Sequence, residues 1–125
     1  MKKLLLLPLL MITSFCFAQD AKKIIGKPIK IVNFLVAQND FPKLMYWDDA
    51  KTECAKLGAG WRLPTNDELN ILYQNKDKIG GFAIKYYWSS TQAVTSIMWS
   101  QIFNNGGQYG YNKSFTFYVR AVRSL

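Results

Sequence analysis

The chain has 125 residues, 50% of them hydrophobic and 15% aromatic, with 16 lysines and arginines against 8 acids. That size suits one domain with a modest core, and the lysines are too scattered to form the dense basic stripe that nucleic acid requires. Histidine is absent, which removes the usual base for a serine or thiolate nucleophile and the commonest zinc ligand.

Residues 1–18 read as a secretory leader. Lys2 and Lys3 precede an apolar run from Leu4 to Phe17, and Cys16-Phe17-Ala18 puts small residues where a signal peptidase checks. The run is shorter than the roughly 20 apolar residues that span a bilayer. Cleavage after Ala18 is expected, with no transmembrane segment afterwards and an exported product that is periplasmic, cell-surface or secreted. Lipid attachment at Cys16 is the rival reading, and bulky Phe15 before the cysteine disfavours it. Cleavage leaves Cys54 as the remaining cysteine, so an intramolecular disulfide is excluded.

Residues 19–27 are polar and lysine-rich, and are expected to form a flexible lead-in to a domain over 28–125. The β-branched and aromatic run within Pro28–Ala37 predicts one strand. From Tyr46 the period changes: Trp47, Ala50, Cys54 and Leu57 recur at helical spacing, with Asp48 and Asp49 near the start and Gly58 at the end. Thr65 and Glu68 form a capping box for a second helix, whose apolar stripe is Leu69, Leu72 and Tyr73. Pro64 keeps Leu63 out of helical geometry and so fixes where that helix begins.

After Gly81 the chain reads as strands and turns. Tyr86–Ser90 and Ile97–Phe103 are strand candidates, and Asn104-Asn105-Gly106-Gly107 is a turn signal. A returning strand starts at Phe115, where Phe115, Phe117, Val119 and Ala121 alternate with Thr116, Tyr118, Arg120 and Val122. That alternation predicts one core face and one partly wet face. Strand, two helices, then several antiparallel strands is an α+β order. Trp61, Trp88 and Trp99 read as core-organising aromatics. Arg62, Arg120 and Arg123 read as clamps on acids or backbone carbonyls.

Three ordered segments carry a resemblance: Gly60-Trp61-Arg62-Leu63-Pro64-Thr65-Asn66-Asp67-Glu68-Leu69, Tyr87-Trp88-Ser89-Ser90-Thr91 and Tyr118-Val119-Arg120-Ala121-Val122-Arg123. Together they resemble the bacterial family of unknown function named after the C-terminal domain of a collagen-like adhesin. The resemblance covers about Leu35 to Arg123. It implies a C-type-lectin-like fold, with two helices packed on a small, mainly antiparallel twisted sheet, and it suggests a binding role. In similar members the helix cysteine pairs with one in the closing segment, where this chain has Ala121. Cys54 is therefore expected to be a buried, inert thiol beside Ala121.

The wider lectin superfamily often binds sugars through calcium, using a Glu-Pro-Asn or Gln-Pro-Asp triplet and a later Trp-Asn-Asp. Neither pattern occurs here, and no acid follows Asp77, whereas calcium needs several hard oxygens. No metal and no cofactor is expected. The best candidate contact surface is Asn104, Asn105, Gln108, Tyr109, Tyr111, Asn112 and Lys113, because tyrosine, asparagine and glycine make adaptable binding loops. An ordinary hairpin loop is the competing reading. The function expected is an exported, non-catalytic binding module that contacts a glycan, protein or envelope component without calcium. A structural subunit of a surface assembly is the alternative. An enzyme related to formylglycine-generating oxidases is a weaker one, since Cys54 alone cannot supply the cysteine pair some of them use. The absence of an acid in the candidate loop also counts against a two-carboxylate hydrolase.

Overall fold

The structure is a computed structural model that describes residues 19–125; the expected leader over 1–18 lies outside the described residues. In chain order the elements are helix α1 over residues 19–25, strands β1 (Ile29–Ile31) and β2 (Phe34–Val36), helix α2 (Trp47–Lys56) and strand β3 (Trp61–Arg62). Helices α3 (Asn66–Gln74) and α4 (Lys76–Ile79) follow, then strands β4 (Tyr86–Val94), β5 (Ile97–Ile102), β6 (Gln108–Asn112) and β7 (Val122–Ser124). The strands form two antiparallel sheets, one in the order β1-β2-β7-β3 and the other β4-β5-β6. This is the α+β architecture expected. The chain's last strand lies between β2 and β3, so the first sheet closes only when the C-terminal segment arrives.

Both main helices form where the spacing places them. Trp47, Ala50 and Cys54 of α2 are buried, and Asp48 and Asp49 sit in its first turn. Thr65 Oγ1 accepts from Glu68 N at 3.1 Å, while Glu68 Oε1 accepts from Thr65 N at 2.8 Å, so the capping box is complete. Arg62 grips the same carboxylate with both terminal nitrogens, at 2.6 and 3.0 Å.

Two core clusters divide the interior. One gathers Trp47, Cys54, Trp61, Trp88, Met98, Val119 and Ala121 around α2. The other gathers Phe34, Leu69, Leu72, Tyr87, Phe103 and Val122 around α3. Cys54 and Ala121 thus share one cluster.

Three sequence readings need correction. Pro28–Ala37 is not one strand but the hairpin of β1 and β2, turning at Val32, whose φ is +53°. The strand expected from Phe115 is mostly irregular. It touches other strands through bridges at Met45–Phe117 and Tyr87–Tyr118 before becoming β7. Its expected partly wet face holds only at the start, where Thr116 is exposed and Tyr118 partly so; Val119, Arg120, Ala121 and Val122 are all fully buried, because this segment then runs between the two cores. Finally, the lead-in at 19–27 is helical to residue 25. Ile24 and Ile25 pack against the first core, and their carbonyls accept from Asn39 N and Gln38 N.

The cap gives a direct prediction. Thr65→Ala should cost ~0.5–2 kcal/mol in urea denaturation. Burial pushes the Glu68 carboxyl up, but the bonds from Arg62 and Thr65 and the Arg62 charge outweigh it and hold its pKa below the ordinary value. A depressed folded pKa stabilises fully above the unfolded value of ~4.3 and fades as acid takes the pH through the lower folded value. The cost of Glu68→Gln, measured by denaturation across that range, should therefore shrink towards acid.

Candidate functional site

Strand β6 is an edge strand, and it carries most of the residues singled out in the sequence. Its pairing sets Met98 opposite Tyr111, Trp99 opposite Gly110, Ser100 opposite Tyr109 and Gln101 opposite Gln108. Side chains alternate across a sheet, so Tyr109 and Tyr111 share one face with Met98 and Ser100. Gln108, Gly110 and Asn112 share the other face with Trp99 and Gln101. What reads as one contiguous loop in sequence is split between two surfaces.

On the first face the tyrosines join an aromatic ladder. Tyr86 lies 6.4 Å from Tyr109 and 5.0 Å from Tyr111, centroid to centroid, and it stacks on Phe117 at 5.0 Å. Phe115 meets Tyr111 edge-on at 5.1 Å. The Tyr86 and Tyr111 hydroxyls share a hydrogen bond at 3.0 Å, which favours the neutral phenol and is the main cause that pushes Tyr86 up to about 12. Tyr109 and Phe115 are 49% and 48% exposed. The ladder is therefore rooted in the core through Phe117 and Tyr111 and open to solvent at both ends.

The amide residues mostly serve the fold. Gln108 Nε2 donates to the carbonyl and the side-chain oxygen of Asn66, each at 3.0 Å, which braces β6 against the start of α3. Gln101 continues the brace by donating to Asn70 Oδ1 at 2.9 Å. Asn105 and Asn112 accept from Gly107 N and Ser114 N, both at 2.9 Å, and shape the turns on either side of β6. Asn104 is exposed in the first of those turns. Gly106 has φ +84°, and a Cβ there would meet the Tyr73 ring at 2.5 Å, so this turn needs its glycine.

Lys113 stands apart from the rest. Its Nζ lies 3.6 Å from Asp48 and 4.7 Å from the centre of the Trp47 ring. The far end of β6 therefore does have a carboxylate beside it, which the sequence distance between Asp48 and Lys113 conceals. Among the described residues, no group of three or more histidine, cysteine, aspartate or glutamate side chains is placed to hold a metal ion.

Tyr86 and Phe115 belong to the surface but were not singled out in the sequence. The Tyr-Gly-Tyr alternation of β6 does signal a shared aromatic face; its partners on β4 and in the following turn depend on cross-strand register. Trp99, expected in the core, belongs to neither cluster.

This architecture has named relatives. The family described as the Lcl C-terminal domain matches residues 21–123. The chain belongs to that family. No curated protein sequence matches it. Among solved structures, the crystal structure of botrocetin superposes with a TM-score of 0.62 at 11% identity, over 80% of this chain and 98% of that one. The Lcl C-terminal domain family member described here therefore has the C-type-lectin-like fold.

Cys54 plays no part in the candidate surface. It is fully buried, and burial, helped by the neighbouring Glu53 charge, pushes its thiol up to about 12. A reactive cysteine needs thiolate at working pH and access. Native protein should react with a thiol reagent only as fast as it unfolds, and denatured protein at once; rapid native labelling followed by mass spectrometry would contradict this burial.

Proposed function

We propose that this domain is an exported, non-catalytic binding module that engages a glycan or protein of the cell envelope through the aromatic ladder of β6, without calcium. The observation that carries this reading is the ladder itself, in which Tyr109 and Phe115 stay half exposed on a base of Tyr86, Tyr111 and Phe117. Exposed aromatics held rigid by packing offer contact area at little entropic cost. The C-type-lectin-like fold and the family support a binding role rather than catalysis.

Several features support the finer points. No helix among the described residues is long and apolar enough to cross a membrane, which is compatible with export. The Asp48 carboxylate beside the end of β6 is paired with Lys113, and no acid follows Asp77 in the chain; calcium would need several converging oxygens. The inert Cys54 and the absence of histidine leave no cysteine–histidine or serine–histidine pair.

Screening the protein against glycans and envelope fractions, with and without chelator, tests this reading. Binding should survive chelator and weaken ~3–10-fold in Tyr109→Ala, a loss of about 0.5–1.5 kcal/mol. Tyr111→Phe should have a smaller effect, since it keeps the ring and removes only the bond to Tyr86. Full affinity in a folded Tyr109→Ala/Phe115→Ala variant would remove this face from consideration, and binding lost on chelation would point to calcium.

A further inference from the structure

Among the described residues, every sheet edge but one is guarded against pairing. In the first sheet β1 is three residues long and carries Lys30, and β3 is two residues long. In the second sheet β4 is bulged, and its Trp88 and Ser90 N–H groups donate to the carbonyls of Tyr118 and Pro64 at 3.1 and 2.7 Å. Short strands, charge, bulges and cover are the usual devices that keep an edge from pairing. Strand β6 has none of them. Gln108-Tyr109-Gly110-Tyr111-Asn112 runs without charge, proline or a shift of register.

The ladder with β5 determines which groups this edge leaves open. Ile102 N donates to Gly107 O at 2.9 Å, and Lys113 N donates to Ser96 O at 3.0 Å. Hydrogen-bonded and non-hydrogen-bonded pairs alternate between antiparallel strands, so Tyr109 and Tyr111 bond inward to Ser100 and Met98. The N–H and C=O groups of Gln108, Gly110 and Asn112 therefore point off the sheet. Among the described residues those N–H groups have no protein acceptor, and of the carbonyls only Asn112 O is engaged, by Phe115 N at 3.0 Å. Tyr109, Gly110 and Asn112 are exposed.

We propose that β6 pairs edge to edge with β6 of a second copy of this chain, antiparallel and centred on Gly110. The strand reads almost the same in both directions, amide-Tyr-Gly-Tyr-amide, which suits a two-fold contact in which one patch meets itself. In this register Gly110 faces the second copy's Gly110, and Gln108 faces its Asn112. Every outward N–H then meets an outward C=O, with Asn112 O using its second lone pair. A slip of one residue in either direction loses one of these pairs. On one face Tyr109 lies opposite the second copy's Tyr111, in a closely spaced non-hydrogen-bonded pair. The two Lys113 side chains start about 20 Å apart along the strands, too far to repel through salt water. The product is one continuous sheet, β4-β5-β6-β6-β5-β4, with the two aromatic ladders joined on one face. The pairing depends on backbone groups and not on what the ladder binds.

A contact of one strand per copy is small, so sedimentation equilibrium from about 5 μM to about 1 mM should show a reversible monomer–dimer equilibrium. Amide hydrogen exchange, followed by NMR over the same series, reads the register. The Gln108, Gly110 and Asn112 amides should exchange at least about tenfold more slowly at the top of the series. Those of Tyr109 and Tyr111 should be protected throughout. Asn112→Pro removes an outward N–H that the monomer leaves unused, so it should keep the fold and lose the dimer. Asn112→Ala loses the same side chain but keeps the N–H, and should still dimerise. A wild-type monomer at every concentration would overturn the proposal, with no variant needed. So would a dimer whose three outward amides exchange unchanged, an assembly larger than the dimer a two-fold contact closes, or an undiminished dimer in folded Asn112→Pro. Slowing seen only when an envelope fraction is added would give the edge to a strand of another protein and overturn self-pairing.

Discussion

Among the described residues one cation is fully buried, and it ties several distant segments of the domain to one point. The Arg120 guanidinium is fully buried, and its Nε donates to Asp40 Oδ1 at 2.7 Å. Its two terminal nitrogens donate to the carbonyls of Ala37 and Gly80, both at 3.2 Å, and the group lies 4.0 Å over the Phe82 ring. Asp40 in turn accepts from Tyr87 Oη at 2.6 Å, and Tyr87 Oη accepts from Ala83 N at 2.8 Å. The closing segment, the turn after β2, the loop after α4 and the first residues of β4 all meet there. Burial raises the Asp40 pKa, and the Arg120 charge and the bonds from Tyr87 and Arg120 pull against it without cancelling it. A charge taken this far from water is tolerated only when every donor is matched, so the four segments can adopt few other arrangements.

That constraint also positions the candidate surface. Tyr87 anchors β4 in the clamp, and its chain neighbour Tyr86 points to the opposite face, where it carries the aromatic ladder. Strand β5 then passes the register to β6, and the Gln108–Asn66 bonds tie β6 back to α3. An edge strand would otherwise be the most mobile part of a small sheet. Here it is tied on both sides, by its pairing with β5 and by the Gln108–Asn66 bonds, so the tyrosines on its other face keep their places in the ladder.

Much of the fold was legible because it follows local rules. The capping box at Thr65, the spacing of Trp47, Ala50 and Cys54, and the strands at Tyr86 and Ile97 depend on residues close in sequence. The failures are equally physical. Val32 turns a hairpin at positive φ, where a β-branched residue is seldom found, so nothing in the composition marks the break. Arg120 is the clamp on an acid and backbone carbonyls that its sequence suggests, but alternation puts it on the partly wet face and does not show its burial, because its acceptors lie 80, 83 and 40 residues away along the chain. The candidate site was legible as a composition, rich in tyrosine and amides, but not as a geometry. Pairing with β5 divides Tyr109 from Gln108 and sets them on opposite faces of the sheet.

The account rests on the Arg120–Asp40–Tyr87 clamp, and a double-mutant cycle in urea denaturation tests it most directly. Asp40→Asn leaves the buried guanidinium without its counter-charge and should cost ~3–5 kcal/mol. Tyr87→Phe removes one bond to a charged group and should cost ~1.5–3 kcal/mol. Because both act through the same carboxylate, the double variant should lose clearly less than the sum of the two. Small and strictly additive losses would contradict the clamp and the rigid scaffold built on it.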